Sequence, residues 1–417
     1  MNGTGADGAP PSGGPATSTG TLERPAPAPP PASAGYALTT TYLFLVYGTL
    51  ALGMGLVPAL VTTFRKDYGL SGGQLANVQN LKDLGLIAAM FAGPVLLRRL
   101  GVARMTTLAV LVGLAGCAAL ITAQNYAGVL AGAFLHGATF SLGALATVSY
   151  LYRLPKRYHR ISALYATFGV ASFTAPSMVG VLVSDGGDYR AVYAIFAAAL
   201  AVLVGAGALL ARSTGTAAGE AAEEAVQPRL TRALLVGWLP DIAVYAALMA
   251  AETVVVSWVT SLGQYHYGLT LSDASFLLAL LWVAYTPARA VGDLLVKRMS
   301  VTSVVLLGVL LVIVGDVLIC AGSVVVAYVG VVVFAFGTAP LVPVYQGWML
   351  GRTPAEQHGP LNASLGVGSA VLTTLMVWLT GLTVDIDTRL PFAVSVACSA
   401  ALAVWALRAG RRAAKAS

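Results

Sequence analysis

The chain has 417 residues, of which 57% are hydrophobic and 10% charged, with a mean hydropathy of +0.79. An average soluble domain carries about 25% charged residues, so this composition excludes a soluble globular protein and indicates an integral membrane one. The net charge of +7 would point a soluble chain toward nucleic acid, but these basic residues fall in short segments between apolar runs and read as topology signals.

Residues 1–36 consist almost wholly of Pro, Gly, Ala, Ser and Thr and end in Pro25-Ala-Pro-Ala-Pro-Pro-Pro31. Such a segment cannot bury a core, so a disordered cytoplasmic tail is expected. It lacks the apolar stretch of a secretory signal. A membrane-crossing helix needs about 20 apolar residues, and twelve runs qualify: 40–62, 74–97, 103–122, 126–151, 161–183, 190–211, 234–262, 272–296, 302–322, 325–350, 361–384 and 390–407. With the amino terminus inside, the cytoplasmic segments carry eighteen Lys and Arg and the outer loops four, Arg65, Lys66, Arg190 and Arg389. That bias predicts that both termini are cytoplasmic and that the chain is a multi-pass protein of the plasma membrane.

The longest internal connection, 213–233, carries Glu220, Glu223 and Glu224 among alanines and glycines. It separates a six-helix half at 37–212 from a second at 234–407, with a basic tail at 408–417. Each half has a basic segment between its second and third spans, from Gly93 to Arg104 and from Gly292 to Arg298. The expected fold is all-α, with 12 transmembrane helices in two six-helix pseudo-repeats, an architecture used by alternating-access transporters. Forty-six glycines fit close helix packing in lipid. Cys117, Cys320 and Cys398 all lie inside spans without disulfide or zinc spacing, so no metal and no cofactor are expected.

Charge inside the spans marks the candidate sites. Glu252 lies mid-way along 234–262, where a carboxylate costs about 2.5–3.5 kcal/mol on insertion scales and needs a partner, a proton or water. Asp241 and Tyr245 share its helical face, being eleven and seven residues away. The alternative for this stripe is a structural bond to a neighbouring helix. His136, mid-way along its span, titrates in the range of proton transfer or is satisfied internally. Lys82 and Asp83 are adjacent and point about 100° apart, so each is expected to find a partner elsewhere, in a coupling pair or a static bridge. Arg289 and Asp293, four apart, can pair locally and, with Arg98 and Arg99, are gating candidates toward the cytoplasmic side. Tyr345 and Gln346 follow Pro340 and Pro343 and can hydrogen-bond a polar solute or glue helices. Asp316, near the outer end of its span, is expected to snorkel or pack.

Several motifs carry a resemblance. Gly93-Pro-Val-Leu-Leu-Arg98-Arg99-Leu-Gly101 resembles the Gly-x-Leu-x-Asp-Arg-x-Gly loop of the major facilitator superfamily, with Arg98 where that family usually has Asp. Ala133 and His136 stand in the arginine and glutamine slots of its fourth-span Arg-x-x-Gln-Gly pattern, and Ala175-Pro176-Ser-Met-Val-Gly180 is a weak form of its antiporter element. Tyr245-x6-Glu252-x5-Trp258, Tyr265, Gly268-Leu-Thr-Leu-Ser272, Trp282 and Arg289-x3-Asp293 resemble the fucose-permease-like branch. The resemblance implies that spans 1, 4, 7 and 10 line a central cavity, so that Glu252, Asp241 and Tyr245 face substrate.

The expected function is secondary active transport of a small polar, sugar-like solute by a monomer, coupled to protons through Glu252, Asp83 or His136. The alternative is a proton-driven exporter of a drug or secondary metabolite. There is no Gly-x4-Gly-Lys-Ser/Thr loop for an ATP-driven pump. A polytopic enzyme or sensor is the remote alternative, since the four histidines are scattered and no nucleophile-and-base arrangement is present.

Overall fold

The computed structural model describes residues 34–153, 161–184, 186–214, 232–354 and 357–416. The tail through residue 33, the linker 215–231, Lys156, Arg157 and Arg160, and the side chain of Asp293 lie outside the described residues. Everything described is helix, turn or short connection, as expected where lipid forces every backbone group to bond within its own segment.

Thirteen helices are described: α1 (Ala34–Ala59), α2 (Val61–Tyr68), α3 (Gly72–Ile121), α4 (Tyr126–Arg153), α5 (Ile161–Leu182), α6 (Tyr189–Thr214), α7 (Arg232–Tyr265), α8 (Leu271–Val296), α9 (Val301–Ala321), α10 (Val324–Thr338), α11 (Leu341–Gly351), α12 (His358–Thr383) and α13 (Leu390–Ala416). Polar residues at the membrane surface start several of them. Ser71 and Gln74 form a reciprocal capping box at α3, Thr270 caps α8 and Ser300 caps α9, each satisfying amides left free at the first turn. Arg190 closes the opposite kind of end. It donates to the carbonyls of Ile121 and Ala123, both at 3.0 Å, placing a cation on the negative end of α3.

Helix α3 contains two spans rather than one. Its 50 residues would extend ~75 Å at 1.5 Å per residue, far more than a hydrocarbon core of about 30 Å. The helix breaks at Gly101, with φ 72° and ψ 171°, a conformation essentially confined to glycine. Gly85 on the first arm abuts Phe134 and Ala138 of α4, and Gly116 on the second abuts Leu135 and His136. Gly101 lies midway between those two glycines, so the arms run antiparallel. The expected connection around 97–103 is thus compressed to one non-helical residue. Span 10 departs in the opposite sense, breaking at Ala339–Pro340 into α10 and α11, because proline removes an amide donor and blocks the preceding turn.

Among the described residues, ten helices are long and apolar enough to cross a membrane, and α5 adds the shorter apolar stretch Ala166–Leu182. With α3 crossing twice, the twelve expected spans are accounted for. Glycine sets how closely they pack. A Cβ at Gly137 would lie 1.7 Å from the carbonyl oxygen of Lys82, one at Gly315 2.6 Å from the amide of Phe334, and one at Gly330 2.7 Å from that of Ile319. Helices α3 and α4, and α9 and α10, therefore touch backbone to backbone. The halves α1–α6 and α7–α13 meet along two seams, α5 against α8 and α3 against α12. In a duplicated six-span unit, spans 2 and 8 correspond, as do spans 5 and 11, so the seams are pseudo-symmetry mates.

Candidate functional site

Glu252 stands mid-way along α7, 9% exposed. The hydroxyl of Tyr285 on α8 donates to its Oε2, and Tyr285 is itself 3% exposed. One turn along α8, the Arg289 guanidinium lies over the Tyr285 ring, 4.9 Å from its centroid. Thr338, at the end of α10, faces the same hydroxyl. Glu252, Tyr285 and Arg289 thus form an acid, a hydrogen-bond donor and a cation in one apolar setting, where charges act on each other far more strongly than in water. Among the described residues, Arg289 is held by the Tyr285 ring rather than by a counter-ion. Its Nε is fully enclosed without an acceptor, and among the described residues no carboxylate forms an ion pair with it. The expected local pairing with Asp293 falls on a side chain outside the described residues; Arg289 itself turns back toward Tyr285, four residues earlier.

The rest of the expected stripe on α7 belongs elsewhere. Asp241 accepts from the Tyr345 hydroxyl at 2.8 Å, ~16 Å along the helix from Glu252 by its rise. Tyr345 is fully buried, its ring 5.4 Å from both Trp348 and Trp405. Gln346 donates to Asn362 at 3.0 Å. These groups join α7, α11, α12 and α13 to one another, while Tyr245 is half-buried between the two sites. Trp258 is fully buried and donates its indole N–H to Thr380 at 2.8 Å.

His136 is not brought to Glu252. It is fully buried in the first half, its Nδ1 2.9 Å from the Gly132 carbonyl of its own helix, its ring packed on Tyr193 and Phe196 at 5.3 and 5.6 Å. Lys82 and Asp83 correct the expectation that each pairs elsewhere: Lys82 Nζ lies 3.2 Å from Asp83 Oδ1. The flexible lysine stem spans the 100° between adjacent side chains. Asp316 does not snorkel. It is 1% exposed, both carboxylate oxygens lack a hydrogen-bond partner, and Ser395 of α13 faces it. Arg98 and Arg99 are exposed just before the Gly101 reversal.

One feature escaped the sequence reading. At the end of the molecule away from the termini, Arg65 on α2 pairs with Asp385 at 2.5 Å. The other oxygen of Asp385 accepts from the Gly72 amide at 2.7 Å, and the Arg65 guanidinium lies 5.1 Å from the Tyr265 ring centroid. Arg65 and Gly72 belong to the first half, Asp385 and Tyr265 to the second, so this latch ties the halves together. Close by, Arg389 grips Asp387 at 2.6 Å and holds its carboxyl down at about 2. Arg65 is one of only four cations in the expected outer loops, and an acid on the opposite half at the same depth is the signal that could have found the pair.

The profile of the Major Facilitator Superfamily matches residues 43–303. The chain belongs to that superfamily. It is therefore a multi-pass membrane transporter and not an enzyme. Among solved structures, a mutant of the nucleoside transporter NupG superposes with a TM-score of 0.74 at 12% identity, covering 89% of this chain and 99% of that one. The peptide transporter POT in complex with sulfate gives 0.74 at 14%, covering 90% and 94%. A D-xylose-proton symporter gives 0.68 at 13%, covering 90% and 97%. At these identities the likeness is one of fold. No curated protein matches the sequence.

Proposed function

We propose that the chain moves a small polar solute together with protons by alternating access, with Glu252 as the coupling carboxylate. The observation that carries this is an acid buried at mid-depth against a hydroxyl donor and an arginine; such a group in a membrane transporter is a natural proton carrier. The charge bias of the loops supports cytoplasmic termini and a plasma-membrane location. On that orientation the Arg65–Asp385 latch closes the outer mouth, and Arg289 lies on the cytoplasmic flank of Glu252. The same reading divides the chain into the tail 1–36, halves 37–212 and 234–407, linker 213–233 and basic tail 408–417, working as a monomer.

The fucose-permease-like pattern of the second half supports a sugar-like solute. A second reading, a proton-driven exporter of a drug or secondary metabolite, is favoured by the antiporter-like Pro176 element on α5, the helix that packs on α8.

Liposomes loaded with a pH-sensitive dye test the proposal. With the wild type, an inward pH gradient drives solute accumulation. Glu252→Gln loses that accumulation and retains solute exchange at equal pH, because the amide keeps the shape and loses the proton site. Full accumulation by the mutant would remove Glu252 from the coupling role.

A further inference from the structure

Five aromatic rings form a continuous file across the boundary between the halves. Tyr47 of α1 lies 5.5 Å from Phe140 of α4, Phe140 5.7 Å from Phe168 of α5, and Phe168 6.1 Å from Trp282 of α8. Trp282 in turn lies 5.3 Å from Tyr285. The two end rings are buried, while Phe140, Phe168 and Trp282 are half-buried. The file crosses the α5–α8 seam and stops at the ring that carries Arg289 on its face and Glu252 on its hydroxyl. An apolar wall thus runs directly into a cation whose Nε has no acceptor.

We propose that the transported solute carries a carboxylate that seats on Arg289 and a planar aromatic group that lies along Phe168 and Trp282, and that it moves as the anion together with one proton on Glu252. The inference rests on Glu252 being the coupling acid and adds the class of solute to that reading. Arginine presents a planar fork matched to a carboxylate, and rings accept a flat partner in stacked or edge-on contact. Charge balance supplies the coupling. Among the described residues, the ionisable groups facing Glu252 are Tyr285 and Arg289, both from α8. While Glu252 is ionised it compensates Arg289, and an anion arriving there would be a second negative charge in a low-dielectric site. Once Glu252 takes a proton, Arg289 is a half-buried cation with no carboxylate paired to it among the described residues, and an anion becomes its best available partner. Proton and anion therefore favour each other's binding, and the loaded site gains no net charge.

Three membrane-impermeant probes separate the contributions: phenyl β-D-glucuronide, phenyl β-D-glucoside without the carboxylate, and glucuronate without the ring. In dye-loaded liposomes the first moves with protons; the glucoside moves at least about tenfold more slowly, the loss typical of one charged hydrogen-bonded contact, and glucuronate about two- to tenfold more slowly, the loss typical of one aromatic contact. Uptake of the first is unchanged when a potassium diffusion potential is imposed. Arg289→Gln brings the rate for the glucuronide down to that for the glucoside. Equal rates for glucuronide and glucoside, or no transport of any probe, overturn the inference. Proton flux with a hexose but none with the glucuronide overturns it while leaving Glu252 as the coupling acid. Glucuronide accumulation indifferent to pH overturns the coupling reading and leaves the anion seat standing.

Discussion

Lys82 pairs with Asp83, and among the described residues neither has another ionic partner. Both lie on the first arm of α3, with side chains 10% and 18% exposed, and in such surroundings a lone charge costs several kcal/mol while a paired one is tolerated. Replacing one partner strands the other: Lys82→Met and Asp83→Asn are each expected to destabilise by ~3 kcal/mol, and the double substitution by clearly less. Thermal unfolding in detergent reads the cycle, and additive losses would return the two residues to independent roles. Residues such as Glu252 were legible in the sequence because a single acid in an apolar run has few explanations. Its partners were not: Tyr285 is an ordinary residue for a span, and helical-face arithmetic tells which side of α7 a residue occupies but not which neighbour covers that side. This is why Asp241 and Glu252, on one face, serve Tyr345 and Tyr285, on different helices. Which of the two readings of His136 the fold takes up was hidden for the same reason, since the pocket that buries it is assembled from α3, α4 and α6.

At the level of the helix, close approach and backbone breaks carry the design. Gly137 leaves no space beside the Lys82 carbonyl, so Gly137→Ala must push α4 off α3. A destabilisation of ~1–3 kcal/mol is expected, the usual cost of overpacking. Gly205 on α6 has nothing within 4 Å of an added Cβ, and Gly205→Ala should be neutral or stabilising by up to ~1 kcal/mol through helix propensity. Equal unfolding temperatures for the two variants would refute the backbone contact. Span positions were readable because lipid enforces length and apolarity together. Breaks were readable only in part: Pro340 announces itself, whereas the sharpness of the turn at Gly101 depends on backbone angles that one glycine permits but does not demand.

The whole molecule is tied together at one end by Arg65, Asp385 and the Gly72 amide. The ion pair is about a third exposed, 27% and 35% for the two side chains, so it contributes only ~1 kcal/mol, and that suits a contact that opens and closes in the proposed cycle. Asp385→Ala is expected to shift the closed-to-open ratio roughly fivefold, the equivalent of that energy. A cysteine at Ala76, which packs against Gly381 beside the latch, reports it: Ala76→Cys should react faster with an impermeant maleimide in the Asp385→Ala background, and equal rates would exclude the latch from gating. The duplicated halves were visible in the sequence from span count and loop charge. The latch was not, since it joins residues 320 positions apart and only the folded chain sets them side by side.

The reversal at Gly101 also bears on how the chain enters the bilayer. Lys82 and Asp83 each add roughly 2.5–3.5 kcal/mol to the insertion of the first arm of α3. The second arm, from Val102 to Ile121, carries only Arg104, close to the turn. With a single residue joining them, the arms form a helical hairpin, in which burial of the greasy second arm offsets the cost of carrying the charged first arm into the bilayer.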